Sequence, residues 1–99
     1  MREINYGQLK KDIIQLLIFT RKEESMKTVD LCNILNIDKR TLKAIISELR
    51  KIYPICSKDT DGGGYWLDFK KEDINGFIKL LKIRRDSYNK TIKDMESYL

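Results

Sequence analysis

Lys43 lies four residues after Lys39 and three after Arg40, and Ser47 four further on, the spacing that puts side chains on one helical face. An ammonium and a guanidinium only donate hydrogen bonds, and a hydroxyl can donate or accept. Together they suit a surface rich in anionic and carbonyl oxygens, such as phosphates and the edges of bases. Their surroundings sharpen the point. From Lys39 to Lys58 six basic residues (Lys39, Arg40, Lys43, Arg50, Lys51, Lys58) face one acid, Glu48. The whole 99-residue chain carries a net charge of +5, a sign that favours polyanionic partners.

Other chemistries find little footing. The chain contains no histidine, so the commonest general base is missing, and no Ser or Cys stands in a nucleophile motif. Cys32 and Cys56 have no paired spacing, which argues against a zinc site and fits free thiols in a reducing, cytoplasmic setting. Gly62, Gly63 and Gly64 lack the Lys-Ser/Thr ending of a phosphate loop and do not open a helix. No enzyme activity, cofactor or metal is expected. The first residues include Glu3 and lack an apolar signal core, and the apolar run at 13–19 is too short to span a bilayer.

The basic residues need a scaffold, and apolar spacing supplies one. Leu9, Ile13, Leu16, Leu17 and Thr20 predict a first helix over 7–21, widened by Ile14 and Ile18. Thr28 suits an N-cap and Asp30 a first turn, so Leu31, Ile34 and Leu35 belong to a short second helix. Asn36 marks its end, since Asn tolerates left-handed backbone. Asp38 then caps a third helix over 39–52, with Leu42, Ile45, Ile46 and Leu49 inward and the basic face opposite. Pro54 stops it. Strands over 55–58 and 65–69 flank a Gly-rich turn, with Tyr65, Leu67 and Phe69 on one face and Trp66 on the other, where packing is the favoured role. Met26 and Lys27 could add a short extended piece.

The remainder reads as one long helix. Ile74, Ile78, Leu81, Arg85, Tyr88, Ile92, Met95 and Leu99 alternate four and three residues apart, a heptad seam with one charged member. Its first half is expected to pack on the first helix. Leu81, Arg85, Tyr88, Ile92, Met95 and Leu99 are expected to pair with a second copy of the chain.

Leu31, Cys32, Leu35, Asn36, Ile37, Asp38, Thr41, Leu42, Ile46 and Leu49, with Gly64, Tyr65, Trp66 and Leu67 after them, resemble the winged helix-turn-helix of small bacterial regulators. The N-terminal domain of biotin-ligase repressors is similar. The resemblance covers about 9–69 and implies an α+β fold, mainly helical with a small β-hairpin, in which 1–69 forms the winged domain; 70–99 follows it as a C-terminal helix for dimerisation or partner binding. It further implies a sequence-specific duplex DNA-binding protein, which with the paired C-terminal helices would be a small dimeric transcriptional regulator. Lys39, Arg40, Lys43 and Ser47 would then meet the major groove, and Lys27 and Thr28 a phosphate. Cys32 replaces the family's usual alanine, and the acidic tip at Asp59 and Asp61 argues against a minor-groove contact. The rival reading is a protein–protein adaptor on the same scaffold, for which an exposed Trp66 would serve.

Overall fold

The computed structural model describes residues 5–59 and 62–99. The protein is mainly helical with a small antiparallel sheet, and it divides into two compact units, Met1–Phe69 and Lys70–Leu99.

The first unit begins with α1 (Tyr6–Leu17), capped by Asn5, whose side chain accepts from Gln8 N at 3.1 Å. It ends before the expected residue 21 because Thr20 takes another role. Thr20 Oγ1 donates to the Leu17 carbonyl at 2.6 Å and accepts from Leu67 N at 3.0 Å. One hydroxyl therefore closes the helix and satisfies a strand amide 47 residues away.

β1 (Met26–Lys27) leads directly into α2 (Thr28–Leu35). Lys27 is the N-cap and makes no side-chain cap bond, so Thr28 is the first helical residue and not the expected cap. Asn36 ends α2 with φ 54° and ψ 49°, its N–H bonded to the Cys32 carbonyl. This is the left-handed geometry that Asn accepts more readily than most residues. Asp38 then caps α3 (Lys39–Leu49), accepting from Thr41 N at 2.7 Å. The regular helix stops short of the expected residue 52, and Tyr53 N closes the following turn on the Leu49 carbonyl at 2.8 Å.

The hairpin strands are β2 (Ile55–Lys58) and β3 (Gly64–Leu67). The sheet has three strands in the order β1-β3-β2, so Met26 and Lys27 complete what the sequence suggests as a pair. Met26 lies opposite Tyr65, and Cys56 opposite Trp66. Phe69 falls beyond β3 and is 71% exposed, which corrects its expected place beside Tyr65 and Leu67. Trp66 is buried, and its indole N–H donates to Asp68 Oδ2 at 3.1 Å.

Ile13, Leu17, Leu31, Leu42, Ile45, Ile46 and Leu49 meet Ile55, Tyr65 and Leu67 in one apolar cluster. Burial of each large aliphatic side chain contributes about 1.5–3 kcal/mol. Leu42, Ile45, Ile46 and Leu49 fix the rotation of α3, because turning the helix would expose all four.

The second unit is α4 (Lys71–Glu96). Glu72 and Asp73 occupy its first turn and Lys93 its last, each charge matched to the helix dipole. Its 26 residues give a rod roughly 39 Å long. No described residue of α4 is buried.

Candidate nucleic-acid interface

The inward set on α3 decides which residues remain outside. Lys39, Arg40, Lys43, Ala44 and Ser47 are exposed, forming a stripe opposite the buried Leu42, Ile45, Ile46 and Leu49. The stripe is cationic at its N-terminal end and small and polar at Ser47. A flat approach by a polyanion would meet three long donors without displacing any core side chain.

Arg50 leaves this set. Its Nε donates to the Ile55 carbonyl at 2.9 Å and its Nη2 to Ser57 Oγ at 3.1 Å. Burial lowers the pKa of the guanidinium, countered in part by nearby Tyr65 and Cys56. Lys51 lies 3.4 Å from Glu48 in an exposed ion pair. The strong basic bias of 39–58 therefore divides, with Arg50 holding β2 while Lys39, Arg40 and Lys43 face outward.

The start of α2 also differs from its expected role. Lys27 is exposed, whereas Thr28 is only 7% exposed. Thr28 N donates to the Gly63 carbonyl at 3.4 Å. A Cβ on Gly63 would stand 3.1 Å from Thr28 Oγ1. The hairpin turn thus covers Thr28 and engages its amide.

Between these parts lies a shallow hollow lined by Thr28, Val29, Cys32, Ile37, Asp38, Lys39 and Gly62. Burial is the main cause of a raised Cys32 pKa, with Asp38 adding to it and Lys39 opposing it. This direction is opposite to the depressed pKa that marks a reactive thiol. Asp38 titrates below its ordinary value, chiefly through hydrogen bonding from Thr41. The exposure of Val29 (58%) follows from its helical position between Thr28 and Asp30, a phase the sequence spacing already contained. Of the Gly-rich tip, Asp59 is exposed, while Asp61 and Thr60 lie outside the described residues.

No protein family, curated protein or solved structure matches this chain. Among the described residues no group of three or more His, Cys, Asp or Glu side chains could hold a metal ion, and no helix is long and apolar enough to cross a membrane.

On α4, Leu81, Arg85, Tyr88, Ile92, Met95 and Leu99 are all exposed. Tyr88 is 70% and Met95 62% exposed. Thr91, Ile92, Met95, Glu96 and Leu99 line an open apolar hollow near the end of the helix.

Proposed function

We propose that this protein binds duplex DNA in a sequence-specific manner through the outward face of α3, as a small dimeric regulator of transcription. Lys39, Arg40 and Lys43 approach phosphates and guanine edges, Ser47 adds a short-range contact, and Lys27 holds a backbone phosphate. The observation that carries the reading is the orientation of α3: four apolar residues anchor one side, and the exposed cations occupy the other. The succession α1, α2, α3 and hairpin, with Asn36 and Asp38 defining a short turn, supports the winged helix-turn-helix resemblance.

The α4 seam is the proposed contact between two copies. A two-fold dimer would read an inverted repeat. A dimer seated on such a repeat would block an operator sterically.

The adaptor alternative loses one of its supports, because Trp66 is buried. The deciding experiment is selection of bound duplexes from a random DNA library at low and near-physiological salt. Enrichment of an inverted repeat is the expected result. Weak, unselective retention that disappears with salt would make α3 a charged surface only and turn attention to protein partners.

A further inference from the structure

We propose that two α4 helices pair antiparallel, with Leu81 of one chain opposite Leu99 of the other. This deepens the dimer reading above and rests on it. The occupant of the exposed seam is thus a second copy of this chain, and the charges around the seam determine its direction.

Arg85 occupies a core position of the heptad pattern, flanked by Lys82 and Arg84 at the adjoining edge positions. In a parallel, in-register pair Arg85 would face the partner's Arg85. Lys82 of both chains would crowd the same layer, placing four cations together. Asp86 already lies 3.4 Å from Arg85 within one chain. Like charges brought this close oppose association.

Reversing one helix removes the conflict. With Leu81 opposite the partner's Leu99, Arg85 lies opposite the partner's Met95 and Tyr88 opposite the partner's Ile92. The apolar stem of Arg85 covers the hollow beside Met95, and its charged end reaches towards the partner's Glu96. Lys82 also comes beside the partner's Glu96. Symmetry repeats each relationship. The basic beginning of the segment, with Lys79, Lys82, Arg84 and Arg85, thus meets its more acidic end, with Asp94 and Glu96. Sliding the helices by one heptad would put Lys82 beside the partner's Asn89 and lose this match.

The arrangement also fixes a distance along α4. The two Lys70 residues, where the first units join, would stand roughly 60 Å apart at 1.5 Å per residue.

The test is a pair of distance measurements by pulsed electron spin resonance on the full chain, at concentrations where sedimentation reports a dimer. Spin labels are placed on Lys79→Cys or Lys93→Cys in a Cys32→Ala background, because Cys56 is buried and Cys32 is not fully so. Antiparallel pairing separates the labels along the axis by roughly 33 Å at position 79 and roughly 9 Å at position 93. Equal distances at both positions would overturn the orientation. A monomer at high protein concentration would overturn the pairing itself, and a monomer that still selects a DNA half-site would leave the α3 reading standing.

Charge exchange supplies an independent readout. Lys82→Glu and Glu96→Lys should each weaken the dimer by roughly fivefold, and the double variant should recover most of the loss. Absence of recovery would place these residues apart and count against the register.

Discussion

Arg50 Nε donates to the main-chain carbonyl of Ile55 at 2.9 Å, so the residue after α3 is tied to the first residue of β2. The same guanidinium reaches Ser57 through Nη2. A cation within the basic stretch therefore serves the fold, and it ties the end of α3 to the hairpin. Arg50→Leu should lower stability by about 1–2 kcal/mol, the range for charge-assisted hydrogen bonds in a partly solvated place. Urea unfolding checks this. A change within experimental error would show that the two bonds contribute nothing net.

Arg40→Ala and Lys43→Ala should act in the opposite way. Both side chains are exposed, so thermal stability should move by less than about 0.5 kcal/mol. DNA affinity should fall by about 1–3 kcal/mol where a base contact is lost, while loss of a phosphate contact lowers the salt slope by about one. Titrations at several salt concentrations separate these effects. Unaltered affinity and slope for both variants would remove them from the interface.

Gly63 has φ +90°, and an added Cβ would meet Thr28 Oγ1 at 3.1 Å. Gly62 has φ +83° but open space around the same position. Both alanine variants incur backbone strain of about 1–2 kcal/mol, and Gly63→Ala adds a steric cost at Thr28. Gly63→Ala should thus be the less stable of the two by calorimetry. The reverse order would mean that the turn can move away from α2.

Asp38 gives a pH signature. Hydrogen bonding from Thr41 depresses its folded-state pKa, whereas the unfolded value is about 3.9. Its contribution is present above the unfolded value and is lost as pH falls through the folded one. Asp38→Asn keeps a capping oxygen but does not ionise, so the stability gap between native chain and variant should shrink as pH drops below about 4. Unfolding curves that stay parallel between neutral and acidic pH would reject this assignment.

The helices were legible wherever a local rule governed them. Leu42, Ile45, Ile46 and Leu49 keep their three- and four-residue spacing and all reach the core. Asn36 takes the left-handed geometry its side chain tolerates, and Asp38 caps the next helix. Misjudged positions depended on distant partners. Thr20 leaves its helix because Leu67 supplies an amide, and Thr28 is covered because Gly63 folds over it. Arg50 looked like part of the wet face until β2 was in place. Two-residue β1 is too short to display a period, and only its register with β3 makes it a strand.

That register bears on how the protein is made. Met26 pairs with Tyr65 and Thr20 with Leu67, so the sheet cannot close until β3 has been synthesised. A ribosome that has released only α1, α2 and α3 presents helices whose apolar residues still lack Ile55, Tyr65 and Leu67 as cover. Such a nascent chain should remain protease-sensitive, and protection should appear abruptly once Leu67 clears the exit tunnel. Synthesis of the central strand would thus be the moment at which the first unit acquires its native structure.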